Sequence, residues 1–443
     1  MARRDPDPQE LETQLDSFSP VARREALEAL TRGSDLWSDR PPGNAVNLHA
    51  HTFFSYNAYG YSPTHLAWLA CQAGWAVAGI VDFDVLDGLE EFHTAAKLLH
   101  LKACVGMETR VFVPEFADVE INSPGEPGIA YHLGMGFPTS RLDGELGEFA
   151  RGLRHRSEER NRELITRVNQ YLSPVALDYD GDVLPLTPGG NATERHICLA
   201  YAQAARHTFA DDTDLARYWR EKLGAEPVGL PEGTGLQSAI RARTMKQGGV
   251  GYVRPDSAAF PRLEEMSRFI LAAGGIPTYA WLDGTSGGER RIEDLLQVAM
   301  STGVAAINII PDRNYRPGVR DEKLGNLYAV VARAEELHLP VVVGTEMNSP
   351  GQKLVDDFAS EELRPLVPVF VKGAHIVYAH SALQRGSGMG YTGEWAKRSF
   401  ASAAARNEFY STLGRELQPA QEDRLVGLPE EVTPGQVRDM VAR

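Results

Sequence analysis

The sequence predicts an α/β fold, a (β/α) barrel of about seven strands interrupted by a helical subdomain. Three observations predict it. Short apolar runs alternate with amphipathic segments in two blocks, residues 45–139 and 261–385. Between the blocks, over residues 140–260, strand patterning stops and helical patterning takes over. Several apolar runs end in His, Asp or Glu, which is where a parallel barrel gathers its functional groups.

Taken in order, residues 1–44 read as a helical arm. "SPVARREALEALTRG" has an N-cap serine, helical apolar spacing and a terminal glycine, and "DRPPGN" breaks the pattern. The first block then runs "AVNLHAH", a Ser-Pro helix start in "SPTHLAWLACQAG", "VAGIVDF", "GLEEFHTAAKLLH", "KACVGMETRVF" and "AYHLGMGF". The second runs "LEEMSRFILAAGG", "IPTYAWL", "IEDLLQVAMSTG", "VAAINII", "LYAVVARAEELH", "LPVVVGTEM" and "AHIVYAH". This rhythm implies parallel strands with helices outside. "HRSEERNRELITRVNQYL" and "ERHICLAYAQAARH" make the insert helical, a cap beside the barrel. Residues 386–443, Gly-rich and then helical, read as a C-terminal extension.

Bulk properties narrow the function. With 443 residues, 43% hydrophobic and 24% charged, the chain has a soluble globular composition and room for a large barrel with additions. No run of about 20 apolar residues is present, so no membrane span is expected. The N-terminal stretch has two arginines, then acids and no apolar core, so no secretory signal is expected. Cys71, Cys104 and Cys198 are scattered in apolar surroundings and read as reduced thiols of a cytoplasmic protein. A net charge of −15 argues against non-specific binding of duplex nucleic acid, yet leaves room for a small anion held by local arginines.

The strand ends carry the chemistry. In "NLHAH" two histidines alternate, so His49 and His51 point to one face of a strand and offer two nitrogens to one ion. Other strand ends supply Asp82 and Asp84, Glu108, His132, Glu346 with Asn348, and His380. Singly, each reads as a satisfied core residue; jointly, they suit a Zn²⁺, Mn²⁺ or Fe²⁺ site of mixed nitrogen and oxygen ligands.

The order and context of these motifs resemble the PHP family, named for polymerase and histidinol phosphatase domains. "NLHAHTFFS" resembles the family's first motif, "AGIVDFDVLDGLEEF" its second, and "GMET" and "YHLGMG" those carrying the bridging glutamate and the next histidine. The helical insert, with "RNRELITRVNQYL", "ERHICLAYAQ" and "GGIPTYAWL", resembles the branch acting on nucleoside bisphosphates or short oligonucleotides. The resemblance covers roughly residues 45 to 350. It implies a distorted (β/α)7 TIM-like barrel and a metal-dependent phosphoesterase.

Four family ligand positions are lost, to Tyr56, Phe83, Trp281 and Asn348. The resemblance therefore implies one ion per chain, held by His49, His51, Glu108 and Glu346. His132 stands adjacent as a half-retained second-site ligand. It further implies His132 or Asp82 as general base or water-orienting group, a small phosphorylated substrate, and Trp281 stacking on a substrate ring. Arg160 in the insert and His196 on the next helix are the expected phosphate binders; a solvated, salt-bridged helix face is the alternative. Arg385 before the Gly-rich "GSGMG" is a third expected anion site, with a plain turn as the alternative. His380 either compensates for a lost imidazole or bonds a loop carbonyl. A degenerate barrel that binds a ligand or partner without turnover is the competing functional reading.

Overall fold

The computed structural model describes residues 7–32, 43–224, 233–254, 259–315 and 320–442; most of the chain break expected at 39–44 lies outside them. Two short helices open the chain, α1 (Pro8–Gln14) and α2 (Pro20–Thr31), each N-capped by a side chain and each with proline in its first turn. The first block gives β1 (Val46–Ala50), α3 (Pro63–Gln72), β2 (Val77–Phe83), α4 (Leu89–Leu98), β3 (Ala103–Phe112) and β4 (Ile129–Met135). The insert gives α5 (Gly144–Leu172), α6 (Glu194–Thr208), α7 (Asp212–Leu223) and α8 (Thr234–Thr244), with no strand among its described residues. The second block gives α9 (Leu263–Ala272), β5 (Ile276–Trp281), α10 (Ile292–Ser301), β6 (Ala306–Ile309), α11 (Arg320–Glu336) and β7 (Val341–Val343). Four helices close the chain: α12 (Val367–Ser387), α13 (Glu394–Ser399), α14 (Ala403–Glu416) and α15 (Pro434–Ala442).

The seven strands form one sheet in chain order, β1 to β7. The sheet curls until the exit of β7 meets β1. There His51 N donates to Glu346 O at 2.8 Å and Glu346 N to His49 O at 2.7 Å. This nearly closed, seven-stranded barrel with helices outside is the distorted TIM-like fold expected.

Two expectations need correction. The barrel is not all parallel: β4 runs antiparallel to both β3 and β5. Its connection from β3 contains only a three-residue 3-10 turn, Pro114–Phe116, and an antiparallel return needs no crossover helix. And "AHIVYAH" is not a strand but the middle of α12, which is buried on nearly all sides. An apolar run of this length fits a buried strand or a buried helix equally well in sequence, and only its neighbours decide.

The reversal of β4 has a structural consequence. Its C-terminal end lies at the edge where the parallel strands begin, so the chain must climb back to reach the opposite face. The 29 residues of α5 do this, spanning about 43 Å at about 1.5 Å per residue. The first part of α5 leans on the barrel, with Phe149 stacked on Phe269 of α9 at 4.7 Å. Its later turns join α6, α7 and α8 in a second apolar core that includes Leu164, Val168, Tyr201 and Trp219.

The C-terminal helices are not an appendage. α12 passes under the barrel, touching β7, β1, β2 and β3. Gly373 lets it approach the start of β7, where an added Cβ would stand 1.9 Å from Val341 O. Gly414 of α14 meets α12 as closely, at 2.0 Å from His375 O. We therefore expect Gly373→Ala to destabilise the fold by about 2–3 kcal/mol through overpacking, read as a lower urea midpoint. An unchanged midpoint would mean that α12 does not seat on β7 in solution.

Candidate metal centre

At the C-terminal end of β1 and where the parallel pairing of β3 with β2 ends, His49, His51 and Glu108 bring one ligand atom each to within 4.8 Å of one another, all three side chains buried. His51 Nε2 lies 3.2 Å and His49 Nε2 3.6 Å from Glu108 Oε2. Neither Nε2 has a hydrogen-bond partner.

The far side of each imidazole explains this. His49 Nδ1 lies 3.0 Å from Asn308 Oδ1, at the end of β6. An amide oxygen can only accept, so Nδ1 carries the proton and a neutral ring presents a lone pair from Nε2. His51 Nδ1 lies 3.1 Å from Ser55 Oγ, whose own proton goes to Asp82 Oδ1 at 2.6 Å. Ser55 therefore accepts from His51, and this ring too presents its Nε2 lone pair. Two lone pairs and a carboxylate oxygen converge with no proton between them, which is the arrangement a cation completes. The donor set, two nitrogens and one oxygen, fits Zn²⁺, Mn²⁺ or Fe²⁺.

The electrostatics agree. Burial lowers the tendency of His49 to ionise, but Glu108 outweighs it and holds the imidazole above its ordinary 6.5. Burial would raise the Glu108 carboxyl, yet His49 and His51 hold it down to about 2.

Asp82 does not face this centre. Its carboxylate accepts from Thr52 N at 2.8 Å, Thr52 Oγ1 at 2.7 Å and Ser55 Oγ at 2.6 Å. It pins the turn after β1 and, through Ser55, the tautomer of His51; it is a positioning group rather than the expected base. His132 is also displaced. In the β3–β4 register Glu108 pairs with Leu133, so His132 pairs with Thr109 on the opposite face. It points toward α9, 3.3 Å from Ser267 Oγ, and burial depresses its imidazole to about 3. Trp281 follows the same parity. Asn308, which faces the barrel interior, pairs with Ala280, so Trp281 lies on the outer face and does not line the cleft.

The remaining expected residues divide. Glu346 closes the barrel beside His49, but stands outside the triad: Arg313 Nη2 lies 2.8 and 3.1 Å from its oxygens, and Gln352 Nε2 donates at 2.8 Å. His196 caps α6, its Nδ1 accepting from Thr193 N at 3.1 Å, and does not line the cleft. Arg385 lies in the last turn of α12, not in a loop, and is bound to Glu422 and His93. His380 sits at the opposite end of the barrel, against Gly136, accepting from Tyr391 N.

Arg160 does line the cleft, a cavity of about 700 Å³ between the barrel mouth and the insert. Arg156 and Arg167 lie on the same face of α5, and Arg110, Arg195, Arg241 and Arg313 join them from other elements. Arg110 and Arg160 both stand over the Phe260 ring, at 4.3 and 4.7 Å from its centroid. Burial and the neighbouring Arg110 charge push Arg160 down to about 10. Sequence reasoning missed Asn308 and Arg313. Asn308 lies within the apolar run "VAAINII" and Arg313 just after it, and the strand-end criterion applied there would have found them.

Two variants separate the centre from its surroundings. Ser55→Ala removes the acceptor that sets the His51 tautomer and should weaken metal affinity about 10–100-fold, while His132→Gln should leave it unchanged. Calorimetric titration with Zn²⁺ reads both; equal weakening would mean that the ligand set has been misassigned.

No family model matches the chain, and no curated protein matches it. Among solved structures, the chain is similar to an amidohydrolase from Chromobacterium violaceum crystallised with sulfate and no metal. That match is 19% identical over 73% of this chain and 96% of the other, with a TM-score of 0.45. It is also similar to a candidate metal-dependent phosphoesterase from Bifidobacterium adolescentis. This second match is 19% identical over 75% of this chain and 98% of the other, with a TM-score of 0.48.

Proposed function

We propose that the protein is a metal-dependent hydrolase acting on a small phosphorylated substrate, of the PHP type with a helical cap. The observation that carries this reading is the pair of buried, unpartnered Nε2 atoms facing Glu108. Burying two such atoms against a carboxylate without a cation would be costly. His49, His51 and Glu108 would hold one divalent ion, which when bound supplies an acidified water and polarises a phosphoryl oxygen.

The chain's own groups suit the rest of the task. Among the described residues Arg156, Arg160 and Arg195 reach the cleft without an ion pair: Arg156 and Arg160 bond carbonyls, and Arg195 bonds Ser238 and Ser349. A guanidinium held only by neutral hydrogen-bond acceptors beside a metal site suits a phosphate, which it can grip by two parallel hydrogen bonds. Arg160 belongs to the insert, so the cap contributes directly to binding. No histidine lines the cleft. The expected bases His132 and Asp82 are sequestered, an observation that favours the second reading, ligand binding without turnover.

Turnover decides between them. Metal-loaded protein should hydrolyse p-nitrophenyl phosphate or its bis ester, and Glu108→Gln should lose both metal and rate by at least about 100-fold, since a neutral amide is a far weaker ligand. Metal binding with no turnover of any phosphoester would leave only the binding reading.

The pH dependence follows from His49. Its folded value lies above 6.5, so in metal-free protein its attraction to Glu108 is fully present below the unfolded value and is lost as pH rises through the folded one. An ion takes the place of that proton. The rise in Tm on adding Mn²⁺ should therefore be larger at about pH 8 than at about pH 6, by differential scanning fluorimetry. The reverse order would exclude His49 as a ligand.

A further inference from the structure

We propose that Arg313 takes the place of a second cation beside the triad, so that the cleft holds one divalent ion and one guanidinium. The inference rests on the metal-dependent reading and deepens it. Arg313 ends a short 3-10 turn, Pro311–Arg313, that follows β6. Its Nη2 bonds both oxygens of Glu346. Glu346 is held next to the ligand strand by main-chain bonds to His49 and His51. It and Met347 adopt left-handed backbone, φ 61° and 57°, a conformation kept only where the surroundings impose it.

The charge arrangement is that of a two-cation site with one position filled by protein. Glu108 Oε2 faces the two imidazoles, leaving Oε1. Arg313 is bound to Glu346, and it lines the same cleft as both carboxylates, Glu346 and Glu108. The Glu346 side chain is 9% exposed and that of Arg313 43%, so the arginine covers the carboxylate and faces the cleft. Both bonds use Nη2, which leaves Nε and Nη1 as donors for a phosphoryl oxygen. A guanidinium keeps its charge at every relevant pH and cannot be stripped by a chelator. It also repels a divalent ion that would approach Glu346. On this view Arg313 makes the protein a single-ion centre and supplies the second positive charge a phosphoryl group would meet.

The test is metal stoichiometry, measured by calorimetric titration of metal-free protein with Mn²⁺ and by elemental analysis after desalting. Wild type should saturate at one equivalent. Arg313→Met, which frees Glu346 and removes the charge, should saturate at two. Arg313→Lys, which keeps the charge, should stay at one, and Arg313→Met combined with Glu346→Gln should return to one. Circular dichroism confirms folding; the exposed side chain makes loss of fold an unexpected result, and Arg313→Lys then carries the comparison with Glu346→Gln alone. Wild type at two, Arg313→Met at one, Arg313→Lys at two, or the double variant at two would each overturn the inference while leaving the metal centre intact. No ion in wild type would overturn the metal reading together with this one.

Discussion

A buried negative charge must be answered from close by, and Glu108 is where this molecule meets that requirement. Its carboxylate sits where the parallel pairing of β3 with β2 ends, with two imidazoles turned toward it. The groups behind those imidazoles fix what the answer can be. Asn308 and the Ser55–Asp82 pair take the Nδ1 protons, so the Nε2 atoms can coordinate an ion or, failing that, accept a further proton. The main chain reinforces the same point, since the bonds that close the barrel between β7 and β1 run through His49, His51 and Glu346. Barrel closure and the charge centre are thus one structural event.

The antiparallel strand β4 shapes everything around that centre. Because it returns the chain to the far end of the barrel, the next element has to span the full height, and α5 is long for that reason. The climb delivers Arg156, Arg160 and Arg167 to the mouth of the barrel along one helical face. The cleft therefore has a barrel wall carrying Glu108 and Glu346 and a helical wall carrying cations. Its net acidic chain charge of −15 conceals a locally basic pocket.

The arginines differ in their engagement, and this sorts their roles. Arg241 is tied to Glu194, and Arg110 to Glu126. Among the described residues Arg156, Arg160 and Arg195 hydrogen-bond to neutral groups. Arg313 is tied to Glu346 yet remains open to the cleft. Phe260 offers its ring to both Arg110 and Arg160, which offsets part of the repulsion between the two like charges.

From the sequence alone came the barrel, the helical insert and the convergence of His49, His51 and Glu108. These rest on periodicity and on strand ends, which are local and survive without knowledge of neighbours. His132, Trp281 and Asp82 were misplaced because facing is decided by register and by which hydroxyls lie opposite. A shift of one residue turns a side chain to the other face of a sheet, and nothing in "AYHLGMGF" or "IPTYAWL" records which residue pairs with which. His380 and Arg385 were misplaced for a different reason, since an apolar run buried on all sides has no periodicity to separate helix from strand. Arg313 could be read as a polar residue past a strand end. Its engagement with Glu346, 33 positions away in the chain, exists only once β6 and β7 lie side by side and the chain beyond β7 folds over the barrel mouth.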